Sequence, residues 1–397
     1  MTTRGRVVFW SLGLALAAFA SAPAGAQELT IDKLAVHGYG GWSFGRTMDN
    51  LNTNFYLFAH QRGDYFHNEF ALNVTAQLSD QLSIVAQPFW HSGHHANQTT
   101  SGMDYVFGEW KFSDMARLRL GNVKQPFGIY TEVFDVGTLR PFASLSQSLY
   151  GPSGMIGKSY SGVGLTGALF ANSPLGIEYD VYGGGLETLE EDTPLQMIAQ
   201  IADTTGRAAL NASTSRTFRD VIGGRVILHT PLDGFSVGAS GYTGTRPVTR
   251  LGVARDWRRT VMGAHADFTS DAWWLRGEWA RERDEANFTA DGSYLEGAYR
   301  LTGSIQLAAT WGTYDTKVEN VPAANIAKGQ SLLEHEDTGF GINYWLSTNF
   351  VVKSSYHVVR GNRFSHPDPT TRFRNLAYNG RLNDETSVVL VSAHLSF

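Results

Sequence analysis

The chain has 397 residues, 32 basic and 37 acidic, with a formal net charge of -5, and 12% of its residues are aromatic. It holds no cysteine, so a disulfide framework and thiolate metal sites are excluded. A net acidic chain also lacks the cationic surface that nucleic acid demands, and a long chain without staples needs a large core or a solvent other than water.

In chain order, Arg4 and Arg6 precede an uncharged apolar run from Val7 to Ala20, followed by Ala24-Gly25-Ala26. That run is shorter than the ~20 residues of a spanning helix. It predicts a secretory signal peptide over 1–26, removed near Ala26, with the mature domain over 27–397. Removing Arg4 and Arg6 leaves 30 basic against 37 acidic residues.

From Leu34 onward the dominant pattern is period-two alternation. In the block Glu69–Leu78, Phe70, Leu72, Val74, Ala76 and Leu78 share one face, while Asn73, Thr75 and Gln77 lie opposite. Such alternation predicts a strand with different solvents on its two sides. The same reading predicts sixteen strands, near 34–44, 66–78, 82–91, 104–112, 115–122, 158–171, 175–184, 219–230, 234–244, 260–269, 272–283, 293–302, 304–315, 337–346, 349–360 and 386–397. Most have about the ~9–11 residues that a tilted strand needs to cross a bilayer.

Short links such as Ser79-Asp80-Gln81, Ser113-Asp114 and Ser270-Asp271 carry turn-forming residues. They alternate with long polar links at 45–65, 92–103, 123–157, 185–218, 245–259, 284–292, 316–336 and 361–385. This rhythm is that of an outer-membrane barrel rather than a soluble sandwich, and it puts both ends on the short-turn side. The faces agree. Trp273, Leu275, Gly277 and Trp279 form an uncharged face, whereas Arg276, Glu278, Glu296, Arg300, His265 and Asp267 fall mid-strand on the other. Ionised groups there need water or a partner, and a lumen enclosed by about sixteen strands supplies both.

The stretch Ser387–Phe397 alternates in the same way, with Val389, Val391, Ala393, Leu395 and Phe397 on one face. It resembles the closing strand of Gram-negative outer-membrane barrels, in which a terminal Phe serves as the assembly signal. That assigns this role to Phe397 and implies a barrel-assembly machinery as partner, with pairing to the 34–44 strand at the seam.

The longest loop, 123–157, is the third on its side. Leu118-Arg-Leu-Gly-Asn-Val-Lys-Gln-Pro-Phe-Gly128 and the preceding Glu109-Trp-Lys-Phe-Ser-Asp114 resemble the strand-to-loop passage of the phosphate-selective porin O/P-like group of Gram-negative bacteria. The resemblance implies a homotrimeric porin whose third loop folds into the lumen and constricts it. Lys124, Glu132, Asp135 and Arg140 in or beside that loop, with Arg117 and Arg119 on the strand that enters it, then become the pore-constriction candidates. The small set Gly162, Gly164, Thr166 and Ala168 on the inward face of strand six would leave room for the loop; glycine there also simply permits coiling.

Phosphate selectivity demands several cationic donors at close quarters. The inward residues Lys111, Arg117, Arg119, Arg225, Arg276, Arg300 and Lys353 are matched by Glu69, Glu109, Glu178, Asp180, Asp267, Glu278 and Glu296, so the lining has no net positive charge. Arg246, Arg250, Arg255, Arg258 and Arg259 are expected in a loop at the mouth, with Arg363, Arg372, Arg374 and Arg381 in another, to steer anions or bind outer-membrane lipid phosphates.

Gly162–Gly167 spells a dinucleotide fingerprint but lies inside a strand, and Gly151–Ser159 has one residue too many for a phosphate loop. His91, His94 and His95 lack a carboxylate pattern for a metal, and His265 with Asp267 reads as a lumen-wall ion pair. The expectation is an all-β transmembrane antiparallel barrel that passes small hydrophilic solutes or ions across the outer membrane. It needs no cofactor, metal or catalytic residue. The alternatives are a channel selective for small organic anions or phosphate, and, in another class, a barrel-borne enzyme or adhesin.

Overall fold

A computed structural model describes residues 33–48, 53–54, 59–60, 63–93, 99–151, 155–171, 173–187, 212–214, 217–250, 253–285, 288–319, 330–367 and 383–397. The signal peptide expected over 1–26 lies outside these residues, as do His94, His95, Arg372, Arg374, Arg381 and the middle of the stretch 151–159.

The alternating blocks form sixteen long strands. They are β1 (Leu34–Thr47), β2 (Asp64–Gln77), β3 (Leu82–Ser92), β4 (Thr99–Ser113), β5 (Ala116–Lys124), β6 (Ser159–Leu169), β7 (Gly176–Glu187) and β8 (Thr217–His229). The second half adds β9 (Phe235–Arg250), β10 (Val253–Thr269), β11 (Trp273–Asp284), β12 (Phe288–Arg300), β13 (Ile305–Val318), β14 (Glu334–Ser347), β15 (Phe350–Arg360) and β16 (Glu385–Ser396). Each pairs antiparallel with the next, and β16 pairs antiparallel with β1, with Tyr39 opposite Ser396 and Phe44 opposite Val391. Closure leaves this sheet no free edge, which is what a hydrocarbon solvent requires of a strand assembly.

The pleat separates the two faces. On β11, Trp273, Leu275 and Trp279 are exposed on the outside, whereas Glu278 is buried inside. Leu295, Leu307, Phe340, Ile342 and Tyr356 continue the exposed apolar belt on neighbouring strands. Charged groups on the inner face are paired across strands: Arg119 with Glu109 at 2.8 Å, Arg225 with Asp180 at 3.0 Å and Arg276 with Asp267 at 2.6 Å.

At the seam, Phe397 and Gly38 exchange reciprocal backbone hydrogen bonds of 2.9 Å. The Phe397 ring lies over Gly38, where a Cβ would stand only 2.4 Å from a ring carbon. Gly38→Val is therefore expected to push the ring aside and weaken closure, lowering the fraction of chain that migrates as the compact, heat-modifiable species on a gel. An unchanged folded fraction would remove the ring contact from the account of closure.

Two expectations are corrected. The links 245–259 and 284–292 are not long loops: β9 continues to Arg250 and β10 starts at Val253, while β11 reaches Asp284 and β12 starts at Phe288. Arg246 and Arg259 are thus strand residues buried against Asp284 and Glu282, each pair at 2.7 Å, whereas Arg255 and Arg258 are exposed. These strand extensions are polar on both faces, so no hydrophobic alternation marks them. His265 does not pair with Asp267 either; Asp267 binds Arg276, its direct cross-strand neighbour. Directly opposite residues stand closer than residues two apart along a strand.

Candidate functional site: the third long loop and its seat

The loop begins where Pro126 removes a backbone donor and biases Gln125 towards extended backbone, ending β5. Gln125 ties the two loop ends together. Its backbone N–H donates to Lys158 O at 3.2 Å, its side-chain oxygen accepts from Gly157 N at 2.7 Å, and its amide donates to the Tyr182 hydroxyl on β7 at 2.7 Å. Beside it, Lys124 Nζ lies 2.8 Å from both Asp104 of β4 and Asp135 of the loop, and Lys158 Nζ lies 2.7 Å from Asp104. Burial alone would raise the Asp135 carboxyl, but Lys124 and Lys158 hold it well below the usual carboxylate range.

Further along, the loop meets β8, β9, β11 and β12. Gly128 (φ +60°) turns the chain so that its N–H donates to Ser240 of β9 at 3.0 Å, while its carbonyl accepts from Arg225 of β8 at 3.2 Å. A Cβ at Gly128 would stand 2.0 Å from Glu278 Oε2, so the close approach requires glycine. Glu278 is where the seat converges. It accepts from Ile129 N at 3.1 Å, from the Tyr150 hydroxyl at 2.6 Å and from the Tyr294 hydroxyl of β12 at 2.5 Å. The Tyr130 hydroxyl donates to Glu296 of β12 and accepts from Arg276 at 2.7 Å. Burial first, then the neighbouring carboxyls, push the Tyr130 and Tyr150 hydroxyls well above their ordinary range, so both remain donors.

Around this polar centre Phe127, Tyr130, Leu149, Met155 and Ile156 of the loop are buried with Tyr182, Phe218, Tyr242 and Tyr314 of the wall. Each such apolar side chain contributes about 1.5–3 kcal/mol when fully buried. The tip, residues 137–142, reaches the closing strands. Asn343 of β14 donates to Pro141 O at 2.9 Å, and Lys353 Nζ of β15 donates to Gly137 O at 2.5 Å and also to Arg140 O. Thr138 donates to Ser396 of β16 at 3.0 Å.

The predicted constriction residues fall into three groups. Glu132 binds Arg225 at 2.6 Å and lies 4.0 Å from Arg119, whose guanidinium also stands 5.4 Å from the Phe107 ring centroid. Burial opposes ionisation of Glu132, yet Arg225 and Arg119 keep its pKa below the ordinary value. Lys124 and Asp135 form the second group, at the root of the loop. Arg140 is apart from both, donating to Phe134 O at 2.7 Å and Ala143 O at 2.9 Å, with Glu69 at 3.8 Å. Arg117 joins none of these groups: it sits beside the 114–115 turn, 3.8 Å from Asp114. Asp104, Lys158, Tyr130 and Tyr150 were not singled out from the sequence. Lone polar residues in a loop or on a strand give no sign of which partner they will meet, although Lys124 and Lys158 at the two loop ends are a usable signal.

A closed antiparallel barrel of sixteen strands, apolar outside and charged inside, defines the porin class of outer-membrane fold. Three solved structures share it. The outer-membrane channel DcaP of Acinetobacter baumannii superposes with a TM-score of 0.59 at 8% identity, over 94% of this chain and 100% of that one. The anion-selective porin of Comamonas acidovorans gives 0.55 at 10% identity, over 92% and 99%. A trimer form of OmpT, an outer-membrane protein of Vibrio cholerae, gives 0.50 at 9% identity, over 92% and 99%. Likeness at such identities is one of fold. No protein-family model and no curated protein sequence matches the chain, so the resemblance to the phosphate-selective group rests on roughly residues 100–145 of the sequence.

Proposed function

We propose that the chain is a passive diffusion channel of the outer membrane for small hydrophilic solutes or ions, delivered there after removal of residues 1–26. Its third long loop is the constriction. The observation that carries this reading is the run of loop contacts from β7 round to β16, described above; on the β4 and β5 side the loop meets ion pairs and the buried Phe107 and Val123. The proposed passage runs along the β3–β6 side of the loop, with the Arg119–Glu132 pair, 4.0 Å apart, at its edge. Lys124, Asp135 and Arg140 hold the loop in place, and Arg117 lies at the short-turn end of the passage. Mutual pairing of lumen charges supports weak selectivity: Lys111 with Asp114 at 2.7 Å, Arg119 with Glu109, and Arg225 with both Asp180 and Glu132. A homotrimer is the proposed assembly, as in the trimer form of OmpT.

A second reading, a preference for small organic anions, draws support from Lys158 standing 5.2 Å from the Phe89 ring centroid and Arg119 over Phe107. A cation beside an aromatic face suits a carboxylate with an apolar body. Planar-bilayer recording of the purified protein separates the possibilities. Discrete conductance with a reversal potential near zero in a salt gradient is the expected result. A strongly anionic reversal potential would favour the second reading, and a barrel that does not conduct would overturn both.

A further inference from the structure

The membrane-facing wall between β11 and β14 carries an open groove of about 680 Å³. The register makes it. Gly277 stands opposite Leu295, and Gly297 stands opposite both Leu275 and Ala309, so the floor is Gly277, Gly297 and Ala309. Leu295, Trp311 and Phe340 rise around that floor, 61%, 43% and 63% exposed. The charged neighbours Arg276 and Glu296 turn to the lumen, where they meet Asp267 and Tyr130, so the groove offers hydrocarbon. Towards the long loops the same wall becomes cationic. Arg283 of β11 and Lys317 of β13 both stand opposite Thr289 of β12, at one level of the ladder, and Arg258 lies on the neighbouring β10. All three are exposed and make no ion pair among the described residues. Of the carboxylates on this wall, Asp291 is closed on Arg281 at 2.7 Å, Glu285 accepts from Arg258 N at 3.0 Å, and Asp315 lies opposite Asp291, one level below Lys317.

We propose that this wall binds one diphosphorylated, acylated glycolipid of the outer leaflet, its phosphates on Arg258, Arg283 and Lys317 and one acyl chain in the groove. The vertical spacing fits. From Gly277 to Arg283 the strand climbs about 20 Å, which a tilt of about 40° turns into about 15 Å along the membrane normal. That is half of a hydrocarbon core of about 30 Å. The floor thus lies near the bilayer middle and the cations at the boundary of one leaflet. Trp273 and Tyr299, with ring centroids 4.5 Å apart, mark the opposite boundary. A lipid of the outer leaflet has its phosphates and its chain ends at those same two heights. The lateral spacing fits as well. Arg258 and Lys317 are three strands apart, about 14 Å, which suits a headgroup with two phosphates rather than one. Guanidinium groups supply the paired donors that phosphate oxygens accept. The proposal requires the barrel to lie in the outer membrane and does not depend on what its lumen passes.

The test is native mass spectrometry of the full chain, folded into phosphatidylethanolamine vesicles that contain lipid A and phosphatidylglycerol in equal amounts, then extracted in mild detergent. One lipid A is expected to stay on each chain, several-fold in excess of phosphatidylglycerol. Arg283→Glu with Lys317→Glu is expected to lower that retention by about tenfold or more. A second arm leaves the charges alone. A Cβ at Gly297 would stand 3.3 Å from a Leu275 methyl, so Gly297→Leu with Ala309→Leu fills the groove without entering the sheet. Retention is expected to fall several-fold while the heat-modifiable migration of the folded barrel is kept. Equal retention of the two lipids overturns the glycolipid assignment, and retention that survives either pair of substitutions overturns the site. If filling the groove instead separates an oligomer on a native gel and leaves lipid A bound, the groove is the seat of a second copy and the proposal falls.

Discussion

Replacing Glu278 with leucine is expected to loosen the third loop without unfolding the barrel. Three donors converge on this one carboxyl: Ile129 N, the Tyr150 hydroxyl and the Tyr294 hydroxyl. Leucine fills much the same space but accepts nothing, and each donor left buried without a partner costs about 1–3 kcal/mol. Two of the three donors belong to the loop, so the cost falls mainly on docking. The strand ladder is untouched, because Gly263 to Ala280 and Glu278 to Tyr294 remain in register through backbone bonds. Gln125 at the root and Lys353 at the tip still hold their ends, so the middle of the loop is the part released. In planar bilayers, Glu278→Leu should show a higher mean conductance and noisier open levels, with an unchanged far-UV spectrum. Glu278→Gln keeps one acceptor oxygen in the same place and should fall between the two. If traces of Glu278→Leu match those of the unaltered channel, the convergence on Glu278 does not set the passage.

The second large effect is expected from Arg119→Glu. Arg119 is part-exposed, 2.8 Å from Glu109 and 4.0 Å from Glu132, and it is the β5 cation that meets the loop at the edge of the proposed passage. Reversal of its charge sets a third carboxylate beside Glu109 and Glu132 and leaves Arg225 as the principal counter-charge to the loop. Unit charges 4 Å apart interact by about 1 kcal/mol even at the dielectric constant of water, which is about fivefold in a permeability ratio. The reversal potential in a salt gradient should therefore move towards cations by an amount that grows as ionic strength falls. Arg117→Glu is the control. Arg117 sits beside the 114–115 turn, 3.8 Å from Asp114, and should move the potential much less. Equal shifts from the two variants would place the narrowest point elsewhere than at Arg119 and Glu132.

The fold was legible because its cause is local. Two solvents on the two sides of a strand impose a period of two, and Phe70, Leu72, Val74 and Ala76 declare their face without reference to any distant residue. The turns beside Asp80, Asp114 and Asp271 likewise carry their own chemistry, so the order of the strands and the β16-to-β1 seam followed from the chain alone. The strand ends on the long-loop side did not follow. Above the apolar belt both faces are polar, and Arg246 and Arg259 join β9 and β10 only because Asp284 and Glu282 of β11 await them across the ladder.

The site divides in the same way. That 123–157 is the longest loop, bounded by Lys124 and Lys158, is a property of the sequence. That Gly128 fits against Glu278, that Tyr130 meets Glu296, and that Gly137 rests on His394 are products of closure. Those contacts join residues 150, 166 and 257 positions apart. No local pattern encodes a partner at such separation; only the register of sixteen strands, once the last has met the first, brings the two within reach.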